Sequence, residues 1–329
     1  MGLLTMGIAD PVQLITALSA RVAASRNTAS QTRDATAASA AESSADFIHR
    51  VNRSTRAAMQ RAASPLPQDV KLPQWPDTVR GVPNVVLRSA LFGATRRHGG
   101  QRVILREELI ASVRGVEIRY TGERLDQNDF DVWQALLHLA RANNLGAEFE
   151  VSAYQILQQL NKGDTGGATG SRATLNHRIV RLRAALLSVR SDSITYYGNL
   201  IKHAIRDERS HRYVIQIDPH LQELFGRDHY THIDWQIRQE LDGKALAQWL
   251  HGFYSSHAEP YPISVATLHR LCGSEAKRLS HFREELRAAL KTLTEVLGRH
   301  KSQIIAQIVE GDLVQVHRAP SGARRRQTT

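Results

Sequence analysis

The sequence predicts an α+β, helix-rich protein in which one order of elements, three helices and then a β-hairpin, occurs twice behind a long N-terminal arm. Three observations carry that reading. About 70 residues at the start are rich in Ala, Ser, Thr and Arg and poor in large apolar side chains. Beyond them, apolar residues recur at helical spacing in two blocks, each followed by alternating, strand-like runs. A glycine-containing turn stands before the third helix of each block. The expected division is a disordered region over 1–70, a first domain over 71–230, a second over 231–318 and a basic tail over 319–329. A chain of 329 residues suits two domains better than one.

Each element has its own reason. The stretch ASRNTASQTRDATAASAAESSAD cannot bury enough surface to offset its ordering entropy. A short amphipathic helix over Val12–Ala24 is the exception within the arm. The proline-punctuated SPLPQDVKLPQWPDTVRGVPN reads as extended, with Trp75 as its anchor on the first domain. A short helix over NVVLRSALFGA follows, then two strands, QRVILRE and GVEIRYTG. In RLDQNDFDVWQALLHLARANN, Phe130, Trp133, Leu136, Leu137 and Ala140 fall on one helical face. Asp126 and Asp129 near its start suit the helix dipole.

The second helix of the block, SAYQILQQL, is capped by Ser152. The third is expected to run from Ser171 through RATLNHRIVRLRAALLSV. There Leu175, Ile179, Leu182 and Leu186 make an apolar stripe. Thr174, His177, Arg181 and Ser188 lie opposite, flanked by Arg172, Arg178 and Arg183. SITYYGNLIKHAI and RYVIQIDP then read as one long hairpin around a polar tip, RDERSH.

The second block repeats the order. IDWQIRQELDGKALAQWLHGFYSSH reads as a long helix and SVATLHRLCG as a short one. The third helix, SEAKRLSHFREELRAALKTLTEVL, carries Phe282, Leu286, Ala289 and Leu293 on one stripe. Lys277, Ser280, His281, Glu284 and Arg287 face outward. QIIAQIVEGDLVQVHR is a compact hairpin with a Gly-Asp turn. Three helices and a hairpin in this order are the plan of a winged helix, whose third helix enters the major groove. The fold class is therefore two tandem winged-helix domains after the arm.

Charge points to the partner. There are 43 Lys and Arg against 32 Asp and Glu, a net charge of +11. Such a chain is drawn to polyanions, because neutralised phosphates release condensed counterions. Arg can donate to two guanine acceptors, and Ser, Thr and His add contacts to bases or phosphates. The candidate DNA-binding residues are Arg172, Thr174, His177, Arg178 and Arg181 in the first domain. In the second they are Lys277, Arg278, Ser280, His281, Arg283 and Arg287.

Other function classes find little support. There is no P-loop. The 15 histidines are scattered, with no His-x-His pair of the kind a nickase would use. Tyr196-Tyr197 lies in a strand-like run, where packing explains it better than catalysis. His269-x-x-Cys272 has ligand spacing without a second pair. No catalytic residue, metal or cofactor is expected. The single cysteine, Cys272, permits no internal disulfide. No apolar run is long enough to span a bilayer, and the expected location is cytoplasmic.

Several strings make the reading more specific. LPQWPDTVRGVPN, RSALF, YTGERLDQNDFDVWQALLHLAR, LFGRDHYTHIDW, KALAQWLHGFYSSH and LHRLCGSEAKRLSHFREELRAAL resemble, in the same order, blocks of the TrfA-type plasmid replication initiators. The likeness covers roughly 71–318 and is weaker around Ser171 and from Ile194 to Arg212. The resemblance implies binding of double-stranded origin iterons, opening of AT-rich DNA with its single strands as a further partner, and recruitment of the host helicase with DnaA. It also implies self-association as a monomer–dimer exchange tied to copy-number control. A sliding-clamp contact would fall on Leu91 and Phe92, although the leading Gln of that motif is missing here. The alternatives are a transcriptional repressor of the same fold, a nicking or priming enzyme, and a partition adaptor.

Overall fold

Trp75 anchors the entering chain, as its place in a proline-punctuated stretch predicts. It is buried, stacks on Phe225 at 6.3 Å and donates from Nε1 to His138 Nδ1 at 3.1 Å. The computed structural model describes residues 70–95, 102–190, 195–226, 229–300 and 304–318. The N-terminal arm, its Val12–Ala24 helix and the basic tail lie outside the described residues.

The described chain is a mixed α/β structure. It opens with β1 (Val79–Pro83), α1 (Asn84–Leu87) and β2 (Phe92–Gly93). Strands β3 (Ile104–Ile110) and β4 (Glu117–Glu123) form an antiparallel pair, followed by β5 (Leu125–Asp126). Helix α2 (Gln127–Ala140) begins in a capping box. The Asp126 carboxylate accepts from the Asn128 and Asp129 amides, and Asp129 accepts from the Asp126 amide. Phe130, Trp133, Leu136, Leu137 and Ala140 are all buried, so the helical spacing identified the core face correctly.

Next come β6 (Glu148–Ser152) and α3 (Ala153–Gln159), the latter capped by Ser152 as its sequence suggests. Helix α4 (Ser171–Ala184) is shorter than expected. The chain turns extended at Ala185, and β7 (Leu186–Arg190) pairs with β4. In LLSVR the residues Leu187 and Val189 point inward while Leu186, Ser188 and Arg190 point outward. That alternation overrides the helical stripe that the spacing assigns to Leu186.

The expected long hairpin also divides. Strand β8 (Thr195–Asn199) joins β7, giving the sheet order β3-β4-β7-β8. The polar tip belongs instead to β9 (His203–Arg206) and β10 (Arg212–Gln216). Strand β10 also pairs with β6, in the order β6-β10-β9.

A 3-10 turn (Pro219–Phe225) leads to β11 (Tyr230–Asp234), which returns to pair with β1. The expected long helix is two, α5 (Trp235–Glu240) and α6 (Ala245–Ser255). Gly243 at φ +74° makes the break, a conformation that glycine adopts at little cost. Strand β12 (Ile263–Ser264) precedes α7 (Val265–Leu271). Helix α8 (Leu279–Arg299) starts five residues after Ser274, the expected opening. The hairpin β13 (Ile304–Val309) and β14 (Leu313–Arg318) turns through Gly311 and Asp312, both at positive φ. Its sheet order is β12-β14-β13.

Two apolar clusters result, one drawn from residues between Val70 and Ile233 and one from residues between Ile237 and Val316. Both lie in one unit, Pro67–Thr329. Specific polar contacts tie them together. Arg238 of α5 is 2% exposed; it donates to Asp131 Oδ1 at 2.7 Å and Gln127 Oε1 at 2.9 Å, both on α2. Its guanidinium also lies 4.6 Å over the Phe130 ring. Trp249 Nε1 donates to the Ser89 carbonyl at 3.1 Å, and Arg124 Nη2 to the Gly273 carbonyl at 2.9 Å.

Two buried histidines give the fold a pH dependence. Burial, helped by the Arg238 charge, pushes His251 down to about 3. Burial and the charges of Arg80 and Arg141 push His138 down to about 4, against the pull of Asp77. Both start from 6.5 in the unfolded chain. Below that pH the unfolded state binds protons that the folded state refuses, so stability is intact above it and falls as the solution is acidified. His251 alone should account for about 2 kcal/mol between pH 7 and pH 5. His251→Asn should therefore lose less melting temperature over that interval than the wild type. Equal losses in calorimetry would show that His251 is not the cause.

Candidate nucleic-acid interface

The same local plan occurs at two places. In the first, α2, β6, α3, α4, β9 and β10 follow one another, with β6 paired to β10. In the second, α6, β12, α7, α8, β13 and β14 do so, with β12 paired to β14. Each time the strand between the first two helices closes on the last strand of the hairpin. The β7–β8 pair is inserted between α4 and β9 in the first unit alone.

Helix α4 seats Leu175, Ile179 and Leu182 in the core. Of the candidate residues on it, His177 is exposed, while Thr174 and Arg178 are half-buried. Arg172 is committed to its neighbour loop: Nε and Nη2 donate to the two Asp164 oxygens at 2.6 and 2.8 Å. Arg181 corrects the sequence reading. It is 8% exposed, with Nη1 donating to Asp129 Oδ1 at 2.6 Å and Nε to Glu123 Oε2 at 2.8 Å. It balances the buried Asp129 carboxylate and the half-exposed Glu123, and does not face solvent.

Those carboxylates form a set. Arg102 bridges Asp126 at 2.5 Å and Asp129 at 3.2 Å. Burial and then the Asp126 charge raise the Asp129 carboxyl. Burial would raise Asp126 too, but Arg102 and the Asp129 amide hold it below the ordinary range. Helix α4 is thus fastened to the α2 N-terminus by charge as well as by packing. The outward surface that remains on α4 includes His177, Val180 and Arg183. Helical spacing alone puts Arg183 beside the apolar stripe, outside the candidate DNA set.

Helix α8 matches expectation more closely. Phe282, Leu286, Leu290 and Leu293 are buried. Lys277, Arg278, Ser280, His281 and Arg287 are all exposed at or near its first three turns. Glu284 lies in the same stripe, and Lys291 continues it one turn further. Arg283 is half-buried, and its Nε and Nη2 donate to the Asp312 carboxylate at 2.8 and 2.7 Å. That fork holds the Asp312 carboxyl below the usual range. Neither Asp164 nor Asp312 could have been found as a partner from helical spacing, since both come from turns.

Three other sequence candidates have these places in the fold. Leu91 and Phe92, the clamp candidates, are core residues here, 3% and 2% exposed, with Phe92 against Phe130 and Trp133. The alternation of β8 sends its two tyrosines to opposite faces. Tyr196 is buried with its hydroxyl donating to the Asn199 carbonyl at 3.1 Å, and Tyr197 is outside. His269 Nε2 lies 2.9 Å from the Ala276 carbonyl and Cys272 is buried. Among the described residues no group of three His, Cys, Asp or Glu side chains is placed to hold a metal. No described helix is long and apolar enough to cross a membrane.

Comparison with known proteins follows the same span. The family model "TrfA protein" matches residues 35–318. The "Plasmid replication initiator protein TrfA" of Escherichia coli is 32% identical over 227 residues, 67% of this chain and 58% of that protein. The chain thus spans a little over half the length of that relative. The "Replication protein RepA" of Salmonella typhi is 26% identical over 242 residues, 68% of either chain. The solved structure of domains 2 and 3 of RctB superposes with a TM-score of 0.45 at 14% identity, covering 67% of this chain and 94% of that one. On the match over 35–318 and the identity to the E. coli protein, the chain belongs to the TrfA protein family.

Proposed function

We propose that the two repeated units are winged-helix modules, in domains over 71–230 and 231–318, and that the protein is a non-enzymatic plasmid replication initiator. It binds repeated double-stranded sites at an origin, with α4 and α8 as the helices that meet the groove. The observation that carries this is the recurring sheet order, β6-β10-β9 and β12-β14-β13, each behind an exposed third helix. Family membership and a net charge of +11 support it. Opening of AT-rich DNA, recruitment of the host helicase with DnaA, and monomer–dimer exchange are the later steps this reading expects.

The DNA-facing set becomes Thr174, His177, Lys277, Arg278, Ser280, His281 and Arg287; Arg178, half-buried with its charge acting on Asp126 and Asp131, drops out of it. Arg172 and Arg283 brace it, and Arg181 leaves it. Arg287→Ala should weaken binding to an iteron duplex by about 1–3 kcal/mol and relax specificity at one position. Lys277→Ala should weaken all duplexes alike and lower the salt slope by about 1. If neither variant changes affinity or salt slope in fluorescence anisotropy, α8 is not the reading helix. Footprinting checks the biology: tandem direct repeats beside AT-rich DNA support an initiator, and a lone promoter palindrome supports a repressor. Relaxation of supercoiled origin plasmid with Mg²⁺ would overturn the non-enzymatic reading.

A further inference from the structure

Asp312 stands where the β13–β14 turn, α7 and α8 meet. At φ +60° it follows Gly311 at +77°, the backbone pattern of a tight hairpin turn. Its carbonyl accepts from the Val265 amide, the first residue of α7, at 2.9 Å. Its carboxylate receives both donors of the Arg283 fork from the second turn of α8, at 2.8 and 2.7 Å. One residue thus pins the hairpin tip to the starts of two helices. Bidentate geometry fixes direction as well as distance.

We propose that Arg283 and Asp312 are positioning residues for DNA recognition, holding the hairpin tip in register with α8 so that the two meet the duplex as one surface. This rests on the reading of α8 given above. The sign of the expected effect separates it from simple electrostatics. An acidic side chain beside a polyanion is repelled, so on charge alone the removal of Asp312 should strengthen binding. On the positioning account it weakens specific binding.

Asp312→Asn is the direct test, because Asn tolerates positive φ as Asp does and keeps one acceptor. Anisotropy titrations would use a duplex carrying the origin repeat and an unrelated duplex of equal length. The expected result is about tenfold weaker binding to the repeat, the order of one lost charge-assisted pair, with unrelated DNA bound as before or more tightly. Arg283→Lys keeps the charge and loses the fork. It should show the same selective loss with an unchanged salt slope, and it serves should Asp312→Asn fold poorly. Asp312→Asn binding the repeat as tightly as wild type, or Arg283→Lys doing so, would overturn the proposal. A wild type that does not distinguish the repeat from unrelated DNA would instead overturn the reading of α8, and the role of the pair with it.

Discussion

Arg238→Ala is expected to cost about 3–5 kcal/mol of folding free energy, the range for stripping one partner from a buried ion pair. The reason is what the side chain leaves behind. Arg238 donates to Asp131 at 2.7 Å, to the Gln248 carbonyl at 2.9 Å and to the Gln127 side chain at 2.9 Å, while 2% exposed. Truncation removes these donors without letting water reach all the acceptors. Burial already raises the Asp131 carboxyl, with Arg238 as the main opposing charge. Arg238→Met with Asp131→Leu removes both charges and should recover the part of the loss due to the unpaired carboxylate, while the Gln127 and Gln248 acceptors stay without a donor. Urea denaturation at pH 7 measures both. A loss below about 1 kcal/mol for Arg238→Ala would mean the site relaxes to admit water. Because Arg238 joins the two apolar clusters, the variant should also separate one unfolding transition into two.

The second large effect concerns the DNA. On the proposed reading α4 and α8 both meet the duplex, and with their clusters joined through Arg238 and Trp249 their separation is expected to hold on DNA. One base pair inserted between the two contacted segments shifts one of them by about 3.4 Å along the axis and about 34° around it. A single module can then bind, and affinity should fall about a hundredfold or more, as for the loss of several base contacts. A deletion of one base pair should do the same. If insertion weakens binding less than threefold, the two modules are independent readers on a compliant joint. The contacts between the clusters would then have to open on DNA.

Much of this fold is legible in local sequence. The α2 core face, the Asp126 and Ser152 caps, the Gly311-Asp312 turn and the exposed basic start of α8 are each written within a few residues of one another. Local periodicity failed where two patterns overlapped. Leu186 fits the α4 stripe and also opens the alternation of β7, and pairing with β4 decided for the strand.

The sequence by itself determined the core faces of the main helices, the basic character and the family, because spacing, charge and long matched strings are properties of the chain alone. Only the tertiary structure decided which arginines face outward. Arg181 and Arg287 look alike on their helices, yet Arg181 meets Asp129 and Glu123, 52 and 58 residues away, and is buried beside Asp129. Arg287 meets no such pair and stays exposed. A guanidinium goes wherever its counter-charges are, and in a folded chain these are set by packing between distant elements and not by neighbours in sequence.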